Sequence, residues 1–169
     1  VFAGAFGKEI TVDAAPPLVA AIDQIWKWSN LTIEKQSLCR LAAMHGTVGL
    51  RIVAHDHADK AKRRVYIKPE HPKIIRDAEL DDRGNVLAIQ LEYDRTSGLA
   101  DAATTTRIRE TITKTDVRIE TVKHGIATPR EAYPNALGIV PYVLLRHEHI
   151  GETWGRNAFY KVREPLDRL

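Results

Sequence analysis

Two pairs of histidines have the spacing that best suits metal chemistry. They are the segments His55-Asp56-His57 and His147-Glu148-His149. Because residues i and i+2 on a strand point to the same face, each pair could present two imidazoles to one Zn²⁺ ion. Neither pair has the i, i+4 spacing of the helical zinc proteases. Both segments lie where strands are predicted to end, so exposed loop histidines are the favoured interpretation and no metal ligand is assigned.

Other catalytic arrangements find no support in the sequence. Ser29, Ser37 and Ser97 lie outside any Gly-x-Ser-x-Gly frame, which argues against an activated nucleophile. Neither a Gly-x-Gly-x-x-Gly nor a Gly-Lys-Ser/Thr motif is present to hold a nucleotide phosphate. The pair Asp81-Asp82 is typical of a turn. We therefore expect a protein that is not an enzyme and that uses no cofactor, with a metal-dependent hydrolase on the histidine pairs as the least favoured alternative.

One short run carries the most concentrated positive charge in the chain and could contact phosphates. Its members are Lys60, Lys62, Arg63 and Arg64. Asp56 and Asp59 dilute this charge, and no aromatic residue interleaves in the run to stack on bases. A solvated loop is the favoured interpretation. A free-standing nucleic-acid-binding module that adds Arg107 and Arg109 to this run is the main alternative function.

The composition is that of one ordinary globular domain. The chain has 169 residues, 44% hydrophobic and 28% charged, which is enough to bury a core without disulfides or a structural metal. Its single cysteine excludes a disulfide scaffold. The longest apolar stretch, 139–145, is far shorter than the roughly 18 residues that cross a bilayer. The net charge of +3 is spread evenly along the chain. Because the sequence starts at Val1 rather than at a methionine, we expect it to be part of a longer protein.

Apolar spacing predicts two helices near the N-terminus. Pro16 and Pro17 open the first, and the second runs from Leu31 to about His45. Ser29-Asn30 is predicted to cap the second helix, and Gly46 to end it. Phe159 begins another helical pattern, which Pro165 disturbs.

Between these helices the apolar pattern has period two, which predicts strands. Strands are expected at residues 48–54, 65–68, 74–80, 86–93, 104–112 and 117–122. Turns at 81–85 and 114–116 make two hairpins, a loop covers 123–138, and a last strand within 139–146 lies at an edge or starts beyond Pro141. The fold class is α+β, with N-terminal helices packed on a mostly antiparallel sheet built from hairpins and a closing C-terminal helix. We assign 1–15 to an arm, 16–155 to the domain and 156–169 to the start of the closing helix.

The order and spacing of glycine and proline residues near the C-terminus resemble the pattern found in the portal proteins of tailed double-stranded DNA phages. The segments that carry it are 133–143 (YPNALGIVPYV), 151–157 (GETWGRN) and 165–169 (PLDRL). Ala136 and Asn157 depart from the family, which commonly has proline and serine there. Segments 41–52 and 69–93 extend the likeness in looser form. The positions that match family structural marks are Gly46, Asn135, Gly138, Pro141, Gly151, Trp154, Gly155 and Arg156.

The resemblance implies a structural role in capsid assembly and DNA packaging. Portal proteins form a ring, usually a dodecamer, at one capsid vertex, and double-stranded DNA passes through its channel while a separate terminase hydrolyses ATP. The chain would correspond to the peripheral α+β wing of a phage or prophage portal protein, in the virion or in the cytoplasm of the bacterial host. The implied partners are other copies of the chain and a capsid or scaffolding protein. Terminase and the head-tail connector would bind parts outside this sequence, and no membrane partner is implied.

Overall fold

Two helices and two antiparallel sheets form the part of the chain that the computed structural model describes, residues 15–55, 57–97, 103–148 and 150–160. These residues divide into two compact units, one within Val1–Glu70 and Leu144–Leu169 and the other formed by His71–Val143. The α+β class predicted from the sequence is confirmed. No helix in the described ranges has the length and apolar character needed to span a bilayer.

The first unit contains both helices and a three-stranded sheet in the order β2-β1-β8. Its elements are α1 (Pro16–Trp28), α2 (Leu31–His45), β1 (Thr47–His55), β2 (Arg64–Glu70) and most of β8 (Tyr142–Arg146), whose first two residues fall in the range of the second unit. The prolines open α1 as predicted, because the backbone N–H groups in the first turn of a helix have no hydrogen-bond partner within the helix. Gly46, with φ of 81°, ends α2 in the left-handed conformation that favours glycine.

The link between the two helices differs from the prediction that Ser29 and Asn30 cap α2. Asn30 occupies the N-cap position but makes no side-chain cap hydrogen bond. The buried Ser29 hydroxyl donates to the carbonyl of Ile25 at 2.6 Å and accepts from the backbone N–H of Ile67 at 2.7 Å. The capping prediction is therefore wrong, because this hydroxyl faces β2 and joins the end of α1 to that strand.

The core of the first unit lies between the helices and one end of the sheet. Leu31, Leu38 and Val48 are its buried centre, and a shell of partly buried side chains surrounds them, namely Trp26, Leu41, Ala42, Leu50 and Ile67. Burial falls along β1, from Val48 with no exposed surface to Ile52, which is 36% exposed. The far ends of β1 and β2 therefore form a hairpin that leaves the core and points into solvent.

The second unit is a five-stranded meander in the order β3-β4-β5-β6-β7. Its strands are β3 (Ile75–Leu80), β4 (Val86–Ser97), β5 (Thr104–Thr113), β6 (Asp116–Lys123) and β7 (Ile126–Pro134). The predicted hairpin turn at 81–85 is confirmed. The Asp81 carboxylate accepts hydrogen bonds from the backbone and side chain of Asn85, both at 2.7 Å. The hydrogen bond from the Asn85 side chain lowers the pKa of Asp81 below its usual value.

One face of this sheet carries most of its buried apolar side chains. Ile89 pairs with Ile112, and Tyr93 with Ile108, across β4 and β5. Glu110 follows the same alternation and is buried on the same face. Ile108, Glu110 and Ile112 of β5 therefore lie on one face of the sheet.

The segment after β6 corrects the prediction of a loop over 123–138. Residues Ile126–Pro134 form β7, which pairs with β6 and is the last strand of its sheet. A proline has no N–H to donate and is tolerated at a sheet edge, where one side of the strand faces no neighbour. Pro129 pairs opposite Glu120 where the register shifts, which also fits a residue that cannot donate. The prolines therefore mark an edge strand here, not a loop.

The last strand follows the sequence prediction. Strand β8 starts at Tyr142, directly after Pro141, and lies at one edge of the three-stranded sheet. Residues 161–169, which hold most of the expected closing helix, lie outside the described residues, as do residues 1–14 of the expected arm. The closing helix and the proposed domain boundaries stay predictions.

Gly46 meets Gly155 backbone to backbone at the junction of α2 and β1. A methyl group on Gly46 would lie 2.8 Å from the carbonyl carbon of Gly155, and one on Gly155 would lie 2.9 Å from the Cβ of Arg146. Neither neighbour is the end of a flexible side chain. Both glycines are therefore required by space, and Gly46 also by its left-handed backbone conformation.

Replacing Gly46 with alanine is expected to lower the free energy of unfolding by about 3 kcal/mol, because left-handed strain of about 1–2 kcal/mol adds to overpacking of about 1–3 kcal/mol. Gly125 is the matched control, since it has a φ of 80° with nothing within 4 Å of an added methyl group. Gly125→Ala should cost only the strain, about 1 kcal/mol. Urea denaturation followed by circular dichroism measures both, and equal losses would contradict the close approach.

Candidate functional site

Asn135 organises the loop that carries the first part of the portal-like motif. Its side-chain N–H₂ donates to the carbonyls of Thr113 at 2.7 Å and Ile139 at 2.8 Å, and its Oδ1 accepts from the backbone N–H of Leu137 at 3.1 Å. Gly138 completes the turn with a φ of 64°. This one amide therefore fixes both ends of the loop that leads to Pro141.

Two apolar side chains project from this loop into solvent. Leu137 is 54% exposed and Ile139 is 59% exposed. The loop that carries them is held by hydrogen bonds between the Asn135 side chain and the backbone of Thr113, Leu137 and Ile139. An apolar pair on a rigid loop is suited to protein contact, because little conformational freedom is lost on binding.

The second part of the motif lies in the other unit, around Gly155. The backbone N–H of Gly155 donates to the Thr47 hydroxyl at 2.8 Å. The backbone N–H of Arg156 donates to the carbonyl of Glu148 at 3.1 Å. The Arg156 guanidinium lies 4.5 Å from the centre of the Tyr160 ring. Gly151 has a φ of 84° and Trp154 is partly exposed. These motif residues fix the course of the chain after β8.

The basic run forms the tip of the β1–β2 hairpin. Lys60–Lys62 make one turn of 3₁₀ helix, capped by the Asp59 carboxylate, which accepts from the backbone N–H of Ala61 at 3.0 Å. Lys62 lies 3.9 Å from Asp59, and the Nε of Arg63 donates to the carbonyl of His57 at 3.0 Å. All four cations predicted as phosphate contacts, Lys60, Lys62, Arg63 and Arg64, are exposed.

An aromatic residue that the sequence analysis missed lies beside this tip. The Arg64 guanidinium is 6.0 Å from the ring centre of Trp28, the last residue of α1. The Ser29 hydroxyl, next in sequence, bonds to Ile67 on the same strand as Arg64. This bond joins the end of α1 to β2 and so places Trp28 near the base of the tip. A local sequence pattern does not predict this contact, because Trp28 of α1 and Arg64 of β2 are far apart in the chain.

Arg107 and Arg109 belong to the second unit, whereas the basic run belongs to the first. Both arginines surround Glu92, which is only 7% exposed. The Nε of Arg107 lies 2.7 Å from one carboxylate oxygen, and a terminal nitrogen of Arg109 lies 3.1 Å from the other. Arg76 adds a longer contact of 3.7 Å. The two arginines of the alternative nucleic-acid hypothesis therefore serve an ion-pair cluster, and the sequence analysis missed its carboxylate.

The charge of Glu92 depends on opposing effects. Burial by itself raises the pKa of its carboxyl group, but the hydrogen bond from Arg109 and the charges of Arg76, Arg107 and Arg109 together lower it below the usual value. Glu92 therefore stays ionised at neutral pH and holds three guanidinium groups on one face of the sheet.

The histidine segments lie at strand ends, as the sequence predicted. The rings of His55 and His57 have centres 6.4 Å apart, and the Nδ1 of His57 accepts from the backbone N–H of Asp59 at 3.0 Å. The backbone N–H of His147 donates to the carbonyl of Gly46. Asp56 and His149 are outside the described residues. Within the described ranges, no three His, Cys, Asp or Glu side chains converge as metal ligands would.

No protein-family model matches this sequence, and a comparison with curated proteins finds no match. The likeness to portal proteins therefore rests on the motif residues alone.

Replacing Asn135 with aspartate keeps the shape of the side chain but removes both donated hydrogen bonds and turns a carboxylate oxygen toward two carbonyls. We expect the free energy of unfolding to fall by about 2–3 kcal/mol, because each lost partner leaves a polar group poorly satisfied. Hydrogen exchange should show faster exchange at the amides of Leu137 and Gly138. Unchanged stability together with unchanged exchange would show that this amide does not hold the loop.

Replacing Glu92 with glutamine removes the charge that faces the arginines, with little change in shape. At neutral pH we expect a loss of about 2 kcal/mol in the free energy of unfolding, as hydrogen bonds to charged groups contribute roughly 1.5–3 kcal/mol. Glu131→Gln is the control, since its ion pair with Arg130 is exposed and should contribute less than about 1 kcal/mol.

The loss in Glu92→Gln should depend on pH. A carboxyl group with a lowered folded-state pKa stabilises the fold above its unfolded pKa of about 4.3, and this contribution disappears as the pH falls through the folded value. The stability difference between wild type and Glu92→Gln is therefore expected to be constant above about pH 5.5 and to shrink on acidification. Urea titrations across this range measure it, and a difference that stays constant at low pH would contradict the ion-pair explanation.

Proposed function

We propose that this chain is a wing-type structural domain of a phage or prophage portal protein. It would act through contacts with neighbouring subunits and the surrounding capsid shell, without catalysing a reaction. The observation that carries this proposal is the loop at Asn135, where the motif amide makes three hydrogen bonds that fix a loop with two exposed apolar side chains. A rigid apolar projection of this kind suits a protein that works by assembly.

In a ring, such a projecting loop would have one specific use, which is to contact the next subunit. Ring closure requires heterologous contacts, in which one surface of a subunit meets a different surface of the next. A projecting apolar loop can fill that role on one side of each subunit. Fully burying a side chain such as Leu137 or Ile139 contributes on the order of 1.5–3 kcal/mol, which is enough to change association at each interface by tenfold or more.

The other motif residues support a structural role in a different way. Gly46 and Gly155 approach each other closely, and Thr47 accepts the hydrogen bond from Gly155. These residues determine the path of the backbone and present no reactive group. Under this proposal, ATP hydrolysis belongs to a separate terminase. DNA passes through the channel of the assembled ring, and contacts with terminase and the head-tail connector use parts of the parent protein outside this sequence.

The test is to express the complete parent reading frame and to examine the purified product by negative-stain electron microscopy. Rings with rotational symmetry, near twelve-fold in the family, are the expected result. A parent protein that stays monomeric at micromolar concentrations, or that forms only closed dimers, would overturn the proposal.

A pair of variants then tests the Asn135 loop within that ring. Leu137→Asp with Ile139→Asp should reduce the fraction of protein in rings by at least about tenfold, because a charge would be buried at every interface. Ile126→Asp is the control, compared with Leu137→Asp alone so that each protein gains one charge, since Ile126 is 71% exposed on β7 and lies outside the motif. Equal loss of rings in both proteins would show that the loop has no special part in assembly.

A further inference from the structure

We infer that the tip of the β1–β2 hairpin binds the phosphate backbone of duplex DNA without sequence preference. The tip consists of the four exposed cations Lys60, Lys62, Arg63 and Arg64. They lie at the end of a two-stranded ribbon that leaves the core of its unit, because burial falls along β1 toward His55. A narrow ribbon with cations at its end can approach a phosphate backbone without a clash from the rest of the unit.

Local hydrogen bonds give the tip a defined shape. Asp59 caps the 3₁₀ turn through Ala61, and the ring of His57 accepts the backbone N–H of Asp59. The same His57 presents its carbonyl to the Nε of Arg63. Asp59 is the one carboxylate among the described residues of this loop, and it contacts Lys62 only at 3.9 Å between two exposed side chains. That exposed contact is weak. With Asp56 also counted from the sequence, the loop has four cations against two carboxylates, a net charge of +2.

The surroundings of Trp28 favour duplex over single-stranded nucleic acid. Trp28 is 38% exposed, and the Arg64 guanidinium lies over its ring at 6.0 Å. One ring with a guanidinium over its face is not the series of aromatic side chains on which successive bases of a single strand stack. A tip that binds through charge prefers the polyanion with the higher charge density, and duplex DNA carries one charge per about 1.7 Å of its axis.

The arginines of the second unit do not offer an equivalent surface. Arg107 and Arg109 are engaged by the buried carboxylate of Glu92 at 2.7 and 3.1 Å. Their positive charge is partly neutralised at close range, whereas the hairpin tip has no buried carboxylate among its described residues. The inference concerns a contact that needs only this chain, so it does not rest on the proposed assembly role.

The experiment measures binding of the 169-residue protein to a short fluorescent duplex of mixed sequence by anisotropy, over a series of salt concentrations. Binding should weaken steeply with salt, because each neutralised phosphate contributes about 0.9 to the slope of log affinity against log salt. Lys60→Ala with Lys62→Ala should lower the affinity at low salt by at least about tenfold and reduce that slope by roughly 2. Lys60→Arg with Lys62→Arg should retain binding.

Lys114→Ala with Lys123→Ala is the matched control, since both lysines are exposed at or beside hairpin turns of the second unit and the net charge changes equally. It should leave the slope nearly unchanged, and thermal unfolding should show that all variants remain folded. The same strand without its complement and vesicles rich in phosphatidylserine are the competing ligands. The inference is overturned by absent duplex binding at low salt, by equal losses in the two double alanine variants, or by tighter binding to either competing ligand.

Discussion

The close approach of Gly46 and Gly155 is the constraint on which the first unit depends. Helix α2 ends there, β1 begins there, and the chain that follows β8 returns there. Around the two glycines, the Gly46 carbonyl accepts from His147, Thr47 accepts from Gly155, and Ala158 donates to the carbonyl of Ala43 at 2.8 Å. Any Cβ between these backbones would separate them and break the hydrogen bonds together. The left-handed end of α2 and the path of the C-terminal segment therefore depend on the same close approach of Gly46 and Gly155.

Arginine has two different roles in the two units. In the second unit, Arg107 and Arg109 neutralise a carboxylate that the sheet has removed from water, and the ion pairs offset the cost of burying it. In the first unit, Arg64 lies at a ribbon end beside an aromatic ring and remains exposed. The surroundings therefore decide whether a guanidinium stabilises the fold or stays available to a ligand. A count of basic residues would treat both groups alike.

The two parts of the motif make different contributions. The glycines near α2 determine where the backbone runs, whereas Asn135 holds a loop that exposes Leu137 and Ile139. A protein that assembles needs both properties, since a projection can define an interface only if the chain behind it does not move. Strand β7, by contrast, resists edge-to-edge pairing because its prolines cannot donate and its register is interrupted at Glu120. These features disfavour extension of the sheet at β7.

Local chemistry determined much of this fold. The helices α1 and α2, the stop at Gly46 and the hairpin turns at 81–85 and 114–116 follow from periodicity and from residues whose backbone preferences act over a few positions. The basic tip was also visible as a run of charge. Only the tertiary structure decided that Ser29 bonds to β2, that Trp28 lies beside Arg64, that Glu92 collects three arginines and that a proline-containing segment forms an edge strand. Each of these depends on a partner distant in the chain or on a position at the edge of a sheet, and a local pattern contains neither.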